Sequence, residues 1–358
     1  MSKAFDSLNR NKLLHDLQST ISPDELHIIA VLLNVSLSVE YHQTLSSEFA
    51  TDTGAPQGDC VSANEFTYYL AKALHPLKNH QIPNHPDALP TVPSIPADHL
   101  TDHNYAIVTE KEQIDIEMEY ADDIGKVTSD YRALQKFKQT VPTELEKRDL
   151  VINQDKTEQF TITRSNNEWK KCKYLGSMLD TSEDIKRRKG ISISAANKLR
   201  TLFCHKKLTT QTKMSAFTTY IEPIFLYNCE LWSLTTCQAE NSIDAFQRRL
   251  LRTFVLNVSW PEIVKNAEVY QKTNAVKWSK RIKSRRLKWL GTVLRANSST
   301  PMKKALEYAN TKYQRPRGKP TTTWLSVVKN DLKTLNIEWD DAIEIAKNTK
   351  EWNIIINR

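Results

Sequence analysis

Two aspartates stand side by side at a break in a strand-like run, in Tyr120-Ala121-Asp122-Asp123, and few placements of the surrounding chain can accommodate them. Ile114, Ile116, Met118 and Tyr120 share one parity before the pair and alternate with Asp115, Glu117 and Glu119; apolar content resumes at Ile124 and Val127. A period of two is that of a strand, so the segment predicts a β-hairpin with acids at its tip. Adjacent carboxylates repel, and one takes up a proton unless a cation sits among their oxygens. A hard divalent ion is the natural occupant. Taken alone, such a pair is more often a solvated turn than a metal site, so its neighbours must decide the reading.

Upstream, Thr53-Gly54-Ala55-Pro56-Gln57-Gly58-Asp59 is rich in turn formers and runs into a helix-compatible stretch from Cys60 to Leu70. Two glycines and a proline let the backbone come close to a ligand. Lys3-Ala4-Phe5-Asp6 lies near the N-terminus, and Asn153-Gln154-Asp155-Lys156-Thr157 and Lys173-Tyr174-Leu175-Gly176-Ser177 follow the aspartates.

In this order and at these spacings the five segments resemble the palm of reverse transcriptases, and their wording is most similar to the LINE-type, non-LTR retrotransposon branch. The resemblance extends to the end of the chain: Arg286-Leu287-Lys288-Trp289-Leu290-Gly291, Arg315-Pro316-Arg317-Gly318-Lys319-Pro320 and Thr323-Trp324-Leu325 look like the tail such elements carry after the polymerase.

The resemblance implies RNA-directed DNA polymerisation with two metal ions, Mg2+ or Mn2+, acting on an RNA template, a DNA primer and deoxynucleoside triphosphates. One ion activates the primer hydroxyl and the other neutralises the leaving pyrophosphate. Asp122 is assigned to the metals and Asp123 to a supporting role, because neighbours in a strand face opposite ways. Phe5 matches the aromatic that crowds the sugar 2′ position. Gln57 and Gly58 place template and nucleotide, Lys156 approaches the phosphates as cation or proton donor, and Tyr174, Leu175 and Gly176 hold the primer end.

One departure limits what the resemblance carries. The other principal metal-binding aspartate of the family stands five residues before the aromatic aligned with Phe5, at a position just before Met1. Asp6 is the second aspartate of that motif and is not promoted to ligand. The fingers and the endonuclease, which precede this motif in the family, have no counterpart in the sequence. A C-terminal part of a retroelement polyprotein is expected, polymerising poorly or not at all. The alternative is a non-catalytic nucleic-acid-binding remnant.

Charge divides the chain. Residues 1–180 hold 17 Lys and Arg against 27 Asp and Glu, whereas residues 181–358 hold 33 against 15. A strongly basic half should attract phosphate backbones with strong salt dependence. Lys186, Arg187, Arg188 and Lys189 open a segment compatible with an amphipathic helix, as do Trp278, Ile282, Trp289 and Val293 with Lys280, Arg281, Lys283, Arg285 and Lys288 around the other side. The tryptophans read either as core anchors or as stacking surfaces for unpaired bases. Arg315, Arg317 and Lys319, spaced by Pro316, Gly318 and Pro320, form an extended basic strip suited to phosphate contact. Lys186, Arg187, Arg188, Lys280, Arg281, Arg285 and this strip are the nucleic-acid candidates.

The segment from His75 to Glu112 holds six prolines and reads as an irregular surface insertion; its histidines lack metal-ligand spacing. Five scattered cysteines argue against a disulfide framework and for a reducing compartment. With neither a signal peptide nor a membrane-length apolar segment, a nuclear or cytoplasmic location is expected. The terminal stretch reads as two helices, the second beginning at Trp339-Asp340-Asp341. The fold class expected is α+β: an incomplete reverse-transcriptase palm over residues 1–165, a primer-grip hairpin and helical thumb over 166–255, and a basic helical region over 256–358.

Overall fold

The computed structural model describes residues 4–34, 36–56, 61–79, 115–162, 166–234, 237–312 and 323–356. The chain forms two compact units, residues 1–159 and 160–358. Helices dominate both, and the sheets among the described residues are all two-stranded, a mixed α and β composition.

In the first unit, local capping sets the helix starts. Helix α1 (Arg10–Leu17) is capped by the Asn9 side chain, which accepts from the Lys12 amide at 3.0 Å. Helix α2 (Pro23–Leu33) opens with a reciprocal Ser22–Glu25 box and a proline at its first position, where no amide is needed. Hydrogen bonds from Ser22 hold the Glu25 carboxyl below its usual range. Strand pairs β1 (Ser36–Leu37) with β4 (Phe49–Ala50), and β2 (Glu40–Tyr41) with β3 (Thr44–Leu45), are short and antiparallel. Helix α3 (Ser62–Asn79) follows, then the hairpin β5 (Asp115–Tyr120) and β6 (Asp123–Thr128), and then α4 (Tyr131–Glu146), capped by Asp130.

One core closes this unit. Leu8, Leu13, Phe66, Tyr69, Leu145 and Leu150 are fully buried, and Phe5 and Ile124 pack at its margin. Tyr69 donates to the Arg148 carbonyl at 2.7 Å, and burial pushes its phenol up to about 12. The proline-rich segment begins differently from expectation: α3 runs on to Asn79, because Ala73 and Leu74 keep its last turns in the core. The remainder of that segment, 80–112, lies outside the described residues.

The second unit begins with hairpin β7 (Lys173–Tyr174) and β8 (Ser177–Met178). Helices α5 (Thr181–Lys198), α6 (Arg200–Phe203), α7 (Thr210–Ala216), α8 (Glu222–Phe225), α9 (Cys237–Leu250) and α10 (Asn266–Thr273) lead to the long α11 (Trp278–Arg295). Helices α12 (Pro301–Glu307), α13 (Trp324–Lys333), α14 (Trp339–Ala346) and α15 (Thr349–Ile356) complete it. Asp340 and Asp341 fall in the first turn of α14, as their position before an apolar run predicts. The terminal stretch holds three helices rather than two: Asn348 accepts from the Lys350 and Glu351 amides and starts a new one.

No boundary near residue 256 divides this unit. The first turns of α11 place Trp278 and Ile282 in one core with Phe217, Phe225 and Leu251, and its later turns place Leu287, Leu290 and Val293 in another with Val328, Leu332 and Trp352. Trp278 stacks on Phe225 with centroids 4.2 Å apart, so this tryptophan is a core anchor. Gly291 permits the closest approach in the second core: a Cβ there would meet Trp352 Nε1 at 2.3 Å. Among the described residues no helix is long and apolar enough to cross a membrane.

Candidate nucleotide and nucleic-acid site

The segments singled out near the N-terminus meet in space. Gly54 donates its amide to the Leu8 carbonyl at 2.8 Å, and Ala55 donates to the Phe5 carbonyl at 2.9 Å. Gly54 has φ +85, and a Cβ on it would lie 3.1 Å from both the Asp6 Cα and the Asp6 carbonyl, so both its conformation and its contact require glycine. Arg10 closes the junction: Nε donates to the Gly54 carbonyl at 2.7 Å, Nη2 to the Thr51 hydroxyl at 2.9 Å, and Nη1 to the Thr51 carbonyl. Phe5 lies half-buried with its ring stacked on Phe66 at 4.6 Å. Gln57 and Gly58 fall outside the described residues.

The aspartate pair sits at the turn of a hairpin. Tyr120 pairs with Asp123, which leaves Ala121 and Asp122 as a two-residue loop, with Ala121 at φ +48. Asp122 is half-buried and Asp123 exposed, so the two carboxylates meet different surroundings. The face of the hairpin toward α4 is not its apolar parity. It carries Ile124 and a buried ion pair in which Lys126 Nζ lies 2.8 Å from Glu117 and sits over the Phe137 ring. Tyr120, on the opposite parity, is 65% exposed.

Lys156 stands exposed on a short turn that explains the Asn-x-x-Lys-Thr pattern. Asn153 accepts the Lys156 amide through its side chain at 3.2 Å, and its carbonyl accepts the Thr157 hydroxyl at 2.8 Å. Both terminal residues of the pattern build the turn, and the lysine is what it presents.

Carboxylate oxygens are suitable donors for a hard divalent ion, but among the described residues no group of three His, Cys, Asp or Glu side chains is placed to hold one. Asp122 and Asp123 match such an ion in chemistry.

In the second unit, Tyr174, Leu175 and Gly176 form a tight hairpin turn with φ +45 at Leu175 and +79 at Gly176. Its carbonyls are gripped from outside. Tyr227 donates to the Leu175 carbonyl at 2.9 Å, Arg187 donates to the Gly176 carbonyl at 3.0 Å, and Arg188 Nη2 donates to the same oxygen. Asp184, buried beneath the turn, accepts from the Met178 amide at 3.0 Å and from Trp232 Nε1 at 2.9 Å.

This clamp reassigns part of the basic run. Arg188 is 6% exposed, lies under the Tyr227 ring at 4.5 Å, and belongs to the buried stripe Asp184, Arg188, Ser192 and Ala196 of α5. Of the run, Lys186 faces solvent. Four-residue spacing from Asp184 was the signal that Arg188 turns inward. On α11, Lys280 is exposed, whereas Arg281 pairs with buried Glu222 at 3.2 Å and Arg285 donates to the Leu226 carbonyl at 2.7 Å. Arg315, Arg317 and Lys319 lie outside the described residues.

Comparison with known families agrees with the motif order. The profile of the family described as reverse transcriptase (RNA-dependent DNA polymerase) matches residues 1–179. No curated protein and no solved structure matches the chain.

Proposed function

The chain belongs to the reverse transcriptase family, and from that premise we propose that it is the palm and thumb of a LINE-type, non-LTR retrotransposon polymerase. It grips an RNA template and a DNA primer, and as these 358 residues alone it extends the primer weakly. Membership of the family implies a nucleic-acid template and deoxynucleoside triphosphates as substrates, and reverse transcriptases generally use a divalent metal. The observation that carries the reading is the docking of Gly54 and Ala55 onto Phe5 and Leu8, which joins two family motifs far apart in sequence through backbone hydrogen bonds.

On this reading each residue has a task within reach of its surroundings. Phe5, backed by Phe66, is the wall against the sugar, and rigid backing is what makes such a wall selective. Asp122 is the principal carboxylate and Asp123 its exposed neighbour. When bound, the divalent metal would supply charge neutralisation for phosphoryl transfer. Asp122 and Asp123 would hold it. Lys156 offers a cation or a proton to a phosphate. Tyr174, Leu175 and Gly176 present the primer-holding turn, fixed by Arg187, Arg188 and Tyr227, while Lys186, Lys280 and the strip at Arg315, Arg317 and Lys319 meet phosphates. The division into palm (1–165), thumb (166–255) and basic region (256–358) then describes tasks rather than separate cores.

Fluorescence anisotropy of a labelled RNA–DNA primer–template with the full chain tests the grip. Affinity should fall steeply with added salt, as counterion release requires. An affinity indifferent to salt, or no binding at low salt, would contradict it.

A further inference from the structure

Among the described residues of the second unit the most exposed large apolar side chain is Trp260, 93% exposed, followed three residues on by Ile263 at 88%. Large aromatics are ordinarily buried for most of their area, and an indole in water forfeits the benefit of burial. The loop holding it is not slack. Val258 donates to the Arg252 carbonyl at 2.9 Å, Glu262 donates to the Ser259 carbonyl at 2.9 Å, and Arg252 reaches across to the Val264 carbonyl through Nε at 3.2 Å and Nη2 at 3.0 Å. Val264 is buried in the core and Val258 packs against it. Both ends are therefore tied down, and the fold itself holds residues 259–263 outward.

A second loop lies beside this one. Asn257 Nδ2 donates to the Phe203 carbonyl at 3.0 Å, which joins the start of the tryptophan loop to the turn after α6. That turn carries His205, Lys206 and Lys207, all exposed, and Lys265 is exposed at the far end of the tryptophan loop. Between Asp184 and Glu222 the sequence holds nine Lys and Arg and no Asp or Glu, and Glu262 is the one acid between Asn257 and Lys265. An outward aromatic beside exposed lysines matches the combination that binds single-stranded nucleic acid, in which bases stack on the ring and cations follow the backbone. An unpaired base is required, because the faces of bases within a duplex are already stacked.

We propose that Trp260 is a stacking platform for an unpaired base of single-stranded nucleic acid, with Lys206, Lys207 and Lys265 contacting the adjoining phosphates. The proposal rests on the reading of the chain as a nucleic-acid-gripping polymerase unit and adds a contact outside the motif residues. The test is anisotropy of a short fluorescein-labelled single-stranded RNA, and of a blunt RNA–DNA duplex, with the full chain and with Trp260→Ala, Trp260→Phe and Lys206→Glu/Lys207→Glu. Trp260→Ala should weaken single-strand binding about tenfold or more, as loss of one base stack implies. Trp260→Phe should retain most of it, duplex binding should change little with either, and the double charge reversal should weaken binding and flatten its salt dependence. Single-strand affinity unchanged in Trp260→Ala, with the parent chain still binding, would overturn the platform and leave the polymerase reading intact. A parent chain that binds neither probe would overturn both. Trp260 is solvent-exposed, so an unchanged unfolding midpoint is expected and separates loss of contact from loss of fold.

Discussion

The two units use their charged groups in opposite ways. In the first, of the residues that the motifs single out for chemistry, Asp123 and Lys156 are exposed and Asp122 is half-buried; Asn153 holds the turn of the lysine, and Arg10 and the glycine at position 54 hold the segment around Phe5. In the second, which carries the larger positive charge, several arginines are turned inward, among them Arg188 and Arg281, which read as phosphate ligands. Arg188 holds a hairpin turn, Arg281 faces Glu222, and Arg286, fully buried, lies 2.7 Å from Asp331 and donates to the Trp232 carbonyl at 3.0 Å. Among the described residues basic composition therefore overstates the basic surface, and of the candidates both lysines, Lys186 and Lys280, are left exposed.

The largest effect expected from this contrast is on stability. Arg286→Met leaves Asp331 buried without its cation, and breaking a buried pair from one side costs about 3–5 kcal/mol. Urea unfolding should show that loss; a change within experimental error would mean that Arg286 is not the structural cation described. A smaller effect, about 1–3 kcal/mol, is expected from overpacking in either unit. Gly291→Ala drives a methyl into Trp352, and Gly54→Ala crowds Asp6 at a positive φ. Hydrogen exchange should show loss of protection confined to α11 and α15 for the first and to α1 and α3 for the second. Spread of either effect across both units would break the comparison.

A pH dependence sharpens it further. Burial holds the Glu222 carboxyl above its ordinary 4.5, with Arg281 and the Trp278 hydrogen bond offsetting only part of that rise. A raised value gives a stability contribution complete below 4.5 and lost as pH rises through the folded value. The stability of the parent chain relative to Glu222→Gln should therefore fall from acid to neutral pH in urea unfolding. In the first unit, hydrogen bonds from Lys12 and Asn9 hold Asp149 below its ordinary value, so its contribution is present above 3.8 and fades as pH falls through the folded value. The smallest effect is a few-fold loss of primer–template affinity in Lys280→Glu, read by anisotropy.

The hairpin at Asp122 was legible because a period of two broken by adjacent acids leaves little other choice, and α11 was legible because its apolar positions recur at helical spacing. The face that the hairpin turns to α4 was not. Alternation names two faces without saying which meets the core, and here a Glu117–Lys126 pair takes the inner one. The inward turn of Arg188 escaped for a related reason: read by charge alone a run of four cations looks alike along its length, and Asp184 one turn away is what singles out Arg188. The docking of Gly54 on Phe5 and Asp6 joins segments some fifty residues apart, and only the motif order hinted at it.

The central claim is the proposal that these residues form a nucleic-acid-gripping polymerase unit that extends a primer only weakly. Primer extension on an RNA template with magnesium and deoxynucleotides, run beside Asp122→Ala with binding of the same primer–template recorded in parallel, tests it most directly. The account predicts binding at low salt with little extension, and loss of that residual extension in Asp122→Ala. Robust extension that Asp122→Ala abolishes would contradict it and would show that the chain assembles a complete catalytic site around Asp122.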